Sequence, residues 1–112
     1  MNTTATNDIT LSVIIPITER FDPISELYYK YKSSIKATGL SYEFIYTLDG
    51  EQPEALKELI ELQNNEKLTI ITLAKEFGEA TALSAAFSKA NGDNFLTLPA
   101  YQQIENEEIP NL

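Results

Sequence analysis

Hydrophobic positions in this chain fall into two alternating rhythms, short continuous apolar runs and longer stretches where apolar residues return every three or four positions. Leu11 to Ile15 (LSVII) is a nearly unbroken, mostly β-branched run closed by Pro16, the pattern of a central strand buried on both faces. Asp22-Pro23 then predicts a helix start, with the carboxylate accepting orphan amides and Pro at the first helical position. Ile24, Leu27, Tyr28, Tyr31 and Ile35 repeat with helical spacing until Gly39 supplies a stop. Tyr28, Tyr29 and Tyr31 could form an aromatic binding platform, but their place on one helix favours core packing.

The same alternation continues. Tyr42 to Leu48 (YEFIYTL) has strand composition and ends at Asp49-Gly50; Pro53 opens a helix whose Leu56, Leu59, Ile60 and Gln63 share a face until Asn64-Asn65. Leu68 to Leu73 (LTIITL) is a third strand. A third helix follows Phe77-Gly78, with Ala82, Leu83, Ala86, Phe87 and Ala90 on one face, and stops at Gly92. Phe95, Leu96 and Leu98 then read as a buried strand whose end turns out at Pro99.

Strands are therefore expected near 11–16, 42–48, 68–73 and 94–98, and helices near 23–38, 53–64 and 79–91. Strands alternating with amphipathic helices require parallel pairing through right-handed crossovers. The fold class is α/β, three-layered, with expected strand order 3-2-1-4 and a switch point between strands one and four. Ligands of such sheets sit at the carboxyl ends of the strands. Four loops gather there: Ile17 to Arg20, Asp49 to Gln52, Ala74 to Glu79, and Pro99 to Gln103.

Composition removes several classes of function. At 112 residues, 43% hydrophobic and 22% charged, the chain is one small globular domain, taken as 9–112 after a polar, aperiodic segment 1–8 expected to be flexible. Eight Lys+Arg against 17 Asp+Glu give a net charge of −9, which disfavours nucleic acid and anionic lipid. No apolar run approaches the ~20 residues of a membrane span, and the start does not resemble a signal peptide, so a cytoplasmic protein is expected. With no Cys and no His, chemistry would rest on carboxylates, hydroxyls, Lys or backbone. An α/β domain of receiver type would want a phosphorylatable Asp after its third strand, where Leu73-Ala74-Lys75 carries none.

The blocks VIIPITE (Val13 to Glu19), YEFIYTLDG (Tyr42 to Gly50), LAKEFGEATALSAAFSKANGD (Leu73 to Asp93) and LTLPAYQQIENEEIP (Leu96 to Pro110) carry a resemblance in order and spacing. They resemble the N-terminal half of family-two glycosyltransferases, and within it the branch of dolichol-phosphate mannose synthases and related polyprenyl-phosphate sugar transferases. The resemblance covers nearly all of the chain and about half of the family's GT-A catalytic domain. It implies a Rossmann-like nucleotide-binding half-domain, with a nucleotide-diphosphate sugar as the partner.

Residue by residue, the resemblance implies a nucleotide site from Pro16, Glu19, Asp49, Lys75 and Gly78. Asp49 stands where the family's Asp accepts a hydrogen bond from the base, although Asp-Gly is also a common turn pair. As a solvent-facing loop acid it would bind nucleotide while contributing no more than ~0.5 kcal/mol to stability. Glu19 corresponds to the nucleoside-contacting loop or is a solvated surface acid; Lys75 meets a phosphate or is solvated. Asp49, Glu19 and Gly78 are expected to line one shared cleft.

The family's Asp-X-Asp-X-Gln, which holds Mg²⁺ or Mn²⁺ against the diphosphate, reads here Pro99-Ala100-Tyr101-Gln102-Gln103. Gln103 is retained and both acids are replaced, so no metal cofactor and no catalytic residue is expected. Glu105, Glu107 and Glu108 suit a charged helix start better than a metal site. The resemblance implies that the family's acceptor half, with its catalytic base, would follow the stretch matched by these 112 residues. The alternative function is a non-catalytic binding or assembly module. Without the second half, strand four becomes an apolar edge, and a two-fold homodimer around strand four and Tyr101 to Leu112 is expected.

Overall fold

A computed structural model describes residues 9–18 and 23–101. Its elements follow the order β1 (Leu11–Ile17), α1 (Ile24–Lys36), β2 (Tyr42–Leu48), α2 (Pro53–Gln63), β3 (Thr69–Thr72), α3 (Glu79–Lys89) and β4 (Asn94–Thr97). All pairings are parallel, in the order β3-β2-β1-β4. This is the expected α/β sheet, with β1 and β4 meeting at the switch point, and it differs from the 2-1-3-4-5 order of receiver-like folds. Among the described residues no helix is long and apolar enough to cross a membrane.

Alternation along β1 and β2 sorts the core into two layers. Val13, Ile15, Ile17, Phe44, Tyr46 and Leu48 face α1 and α2, whereas Ile14 and Ile45 face α3. The first layer is aromatic: Tyr28 of α1 lies against Phe44, with ring centroids 4.7 Å apart. The second is thin, and the buried residues that α3 supplies are Ala82 and Ala86, which allow its axis to approach the strands closely.

Several local expectations change. Pro23 occupies the N-cap of α1 rather than its first helical position, and the amide of Ile24 donates to Glu58 Oε1 of α2 at 3.0 Å. The expected cap, Asp22, lies outside the described residues. In α2 the buried stripe is Ala55, Leu59 and Leu62; Ile60, expected inside, is 51% exposed because the helix is rotated to set Ala55 against the sheet. The tyrosines of α1 divide: Tyr28 is core, Tyr31 is half-buried, and Tyr29 is exposed.

Pro16 does not close β1, which continues to Ile17 with Pro16 in register with Thr47. Hydrogen bonding explains how a central strand tolerates it. Ile17 O accepts the amide of Asp49 from the β2 side, while Thr10 O and Ile14 O accept Asn94 and Leu98 amides from the β4 side. Even-numbered residues thus serve β4, so the donor missing at Pro16 is one that β4, ending at Thr97, no longer needs.

The apolar run of β4 reads locally as a buried strand, but all four of its residues are exposed, in keeping with the expected apolar edge. It is an edge strand, with Phe95 stacked on Phe87 of α3 at 5.2 Å on one face and Leu96 uncovered on the other.

Candidate functional site

The carboxyl ends of β1 and β2, the β2–α2 loop and the β3–α3 loop meet at one edge of the sheet. Asp49 is the first residue past β2, on the α3 side, and it is 2% exposed. Its Oδ1 accepts the amide of Phe77 at 2.7 Å and its Oδ2 the amide of Gly78 at 2.9 Å. Both carboxylate oxygens therefore hold the backbone that leads into α3. The expectation of a solvent-facing acid with little weight in stability is corrected: a carboxylate taken from water is retained here because two charge-assisted hydrogen bonds compensate it.

Glycines make this contact possible. Gly78 is the N-cap of α3 with φ 104°, a conformation that side chains rarely adopt. Gly50 has φ 86°, and a Cβ there would lie 2.9 Å from the backbone nitrogen of Glu76, so the β2–α2 and β3–α3 loops touch through bare backbone. Gln52 Nε2 donates to the carbonyl of Asp49 at 3.3 Å and steadies the turn between them.

Asp49 and Gly78 are thus in direct contact, although neither lines the cavity beside them. Lys75 lies in the same loop, its Nζ 5.8 Å from the centroid of the Phe77 ring, within cation–π range. Pro16 stands one residue before the end of β1, and Glu19 lies outside the described residues. A cavity of about 440 Å³ opens beside these loops, with Leu48, Leu56 and Leu73 among its apolar lining and Gly50, Glu51 and Thr72 at its polar side. That volume is in the range of small-molecule sites.

The loop after β4 is built into the fold. Ala100 is buried in the core, and Tyr31 Oη donates to the carbonyl of Pro99 at 2.7 Å, tying this loop to α1. Pro99 supplies no side-chain ligand and Tyr101 supplies a neutral phenol; Gln103 lies outside the described residues. No group of three acids, His or Cys able to hold a metal occurs among the described residues.

Residues 12–112 match the family description "Glycosyl transferase family 2". The chain belongs to that family. It is 31% identical over 105 residues to an uncharacterized glycosyltransferase of Synechocystis sp. (strain ATCC 27184 / PCC 6803 / Kazusa), an overlap of 93% of this chain and 33% of the relative. The chain thus spans about a third of the length of the curated relative it matches. In this family-two domain the sheet has the order expected from the sequence.

Sequence reasoning missed three participants: the Phe77 amide, Gln52 and Tyr31. The first two act at the Asp49 turn and the third fixes Pro99 from another helix. Gly50 and Gly78 were the available signal, since glycine beside an acid at the head of a helix permits close backbone approach.

Away from this edge, a second polar cluster has a structural explanation. Glu66, in the turn before β3, accepts Tyr28 Oη at 2.9 Å and Lys32 Nζ at 2.6 Å. The Lys32 hydrogen bond, with Tyr28 assisting, holds its carboxyl below the usual range, and Glu66 in turn raises the Lys32 ammonium. Burial, reinforced by Glu66, pushes the Tyr28 phenol well above its ordinary value. The cluster joins α1 to the α2–β3 turn.

Proposed function

We propose that this chain is the nucleotide-binding half of a family-two glycosyltransferase, taking a nucleotide-diphosphate sugar across the carboxyl edge of its sheet. The observation that carries this reading is the meeting of the Asp49 turn with the Lys75–Gly78 loop beside a 440 Å³ cavity, in a domain of this family. Pro16 lies at the base of the site, Lys75 offers a cation to the phosphates, Gly78 opens α3 beneath them, and Glu19 joins by its place in the sequence. Asp49 shapes the site by holding its loop. The donor class follows the polyprenyl-phosphate sugar transferase branch that the sequence resembles, and the absence of cysteine fits a reducing, cytoplasmic setting.

Pro99 and Tyr101 do not fit a divalent ion, since neither brings an anionic oxygen to the positions of the family's acids. On this reading the 112 residues bind donor without metal at that loop and are catalytically incomplete. Isothermal titration with UDP- and GDP-sugars, with and without Mn²⁺, tests it: metal-independent binding is expected. Absence of heat at millimolar ligand would leave the second reading, a non-catalytic assembly module, which the fixed Pro99 corner and open β4 edge favour. Self-association belongs to either reading. Asn94, Phe95, Leu96 and Thr97 carry no charge to blunt the edge, and a two-fold dimer through β4 would cover Phe95 and Leu96. Light scattering giving only the 12.6 kDa monomer at high micromolar concentration would exclude the dimer.

A further inference from the structure

We infer that Asn91-Gly92 is a self-modification site, at which the asparagine side chain loses its amide to the following backbone nitrogen, and that Ser12 and Glu43 form the gate that holds the reaction off in the fold. The sequence contains a single Asn-Gly pair, and the structure places it in the turn between α3 and β4, with Asn91 exposed. Glycine leaves the nitrogen after the asparagine unshielded and its backbone free to rotate in an open chain. In that state the Gly92 nitrogen attacks Asn91 Cγ: the N–Cγ bond forms, the Cγ–Nδ2 bond breaks, and Nδ2 departs as ammonia with the proton of the attacking nitrogen. Water then opens the cyclic imide on either side to an aspartyl or isoaspartyl residue.

The folded chain withholds each of these groups. The Gly92 amide donates to Ser12 Oγ at 2.8 Å, and the Ser12 hydroxyl donates in turn to Glu43 Oε2 at 2.5 Å. Glu43 also accepts the Asn91 backbone amide on Oε2 at 2.6 Å and the Asn91 side-chain Nδ2 on Oε1 at 3.3 Å. The nucleophile is thus committed to one partner and the leaving group to another. Rotation is blocked as well: Gly92 is pressed against β1 so closely that a Cβ would fall 2.7 Å from the Ser12 nitrogen. Ser12 is fully buried, so solvent cannot take the amide proton along that path. Opening requires only local fraying, because the buried anchors of α3 are Ala82 and Ala86 and its last turn carries the exposed Phe87. The product does not close again. An aspartyl residue at this position sets a second carboxylate beside Glu43, where Nδ2 stood 3.3 Å from Oε1, and the like charges repel. An isoaspartyl residue inserts an extra carbon into the backbone that these bonds hold. The modification therefore frees one end of α3 irreversibly, at the opposite edge of the sheet from the Asp49 loop.

The test is incubation of the 112-residue chain near neutral pH, native and unfolded in guanidinium, with peptide mapping by mass spectrometry that separates the asparaginyl, aspartyl and isoaspartyl forms at this position. The unfolded chain is expected to convert at least about tenfold faster than the native one, since the native reaction waits on the opening of hydrogen bonds linked to a charged acceptor. Under native conditions Ser12→Ala, which removes the acceptor of the Gly92 amide, should convert at Asn91 at least about tenfold faster than the wild type, while Asn64, the C-cap of α2 and outside the gate, keeps its wild-type rate. Equal rates at Asn91 in the native and unfolded wild type, or no conversion in either, overturn the inference. A Ser12→Ala chain that leaves Asn91 at its wild-type rate, or that quickens Asn91 and Asn64 alike, overturns the assignment of the gate, since protection then belongs to the fold at large.

Discussion

Glu43 and Asp49 stand at opposite ends of β2, on the same face, and each holds one end of α3. Asp49 accepts the Phe77 and Gly78 amides just before the helix; Glu43 Oε2 accepts the Asn91 amide at 2.6 Å just after it. Glu43 also takes the Ser12 hydroxyl at 2.5 Å, and Ser12 Oγ accepts the Gly92 amide at 2.8 Å. Gly92 is required there, since a Cβ would fall 2.7 Å from the backbone nitrogen of Ser12. The two clasps differ in their electrostatic setting. Asp49 is buried at the positive end of the helix dipole, whereas Glu43 is partly exposed at the negative end. A helix whose own buried anchors are Ala82 and Ala86 is thus held chiefly by polar contacts at its ends, and the stronger clasp lies on the side of the candidate site.

Breaking the stronger clasp should have the largest effect. Asp49→Ala removes two charge-assisted hydrogen bonds and leaves two amides without their acceptor, so a loss of about 3 kcal/mol is expected in urea unfolding. A loss under ~1 kcal/mol would show that water replaces the carboxylate without penalty. At the other end, Glu43→Ala should cost about 1 kcal/mol, because relief of an unfavourable dipole interaction offsets part of the lost bonding. Equal losses from the two variants would dissolve the distinction drawn between the ends.

Thr47 sharpens the comparison from between them. It is fully buried on the same face of β2, and among the described residues its hydroxyl has no hydrogen-bond partner. Thr47→Val replaces an unsatisfied hydroxyl with a methyl of similar size and should stabilise the chain by about 1 kcal/mol, read as a shifted denaturation midpoint at constant m. Destabilisation would mean that the hydroxyl has a partner.

The sheet was legible in the sequence because its signals are local. LSVII and YEFIYTL announce their strands by composition, and alternation with helices dictates parallel crossovers and, with the family resemblance, the 3-2-1-4 order. Ile60 was misplaced because helical spacing alone does not fix rotation when a small residue such as Ala55 marks the buried face. The local apolar run of β4 suggests burial because such a run does not reveal whether its strand has a second neighbour; the expectation of an edge rested on the family resemblance. The site was partly legible. Asp49, Lys75 and Gly78 were singled out and lie together, yet the occupation of Asp49 by amides 28 and 29 residues away depends on two loops meeting in space.

Pro16 has a consequence for the shape of the crevice. On the side of β1 that faces β4, Ile14 makes the last backbone contact, through its carbonyl to the Leu98 amide, and the next donor in that row would be Pro16. A prolyl nitrogen has no hydrogen to give, so Pro16 cannot donate the bond that would come next between the two strands. The backbone beyond Thr97 is released to turn at Pro99 toward Tyr31. The place where β1 and the edge strand part company is thus marked by a missing hydrogen atom.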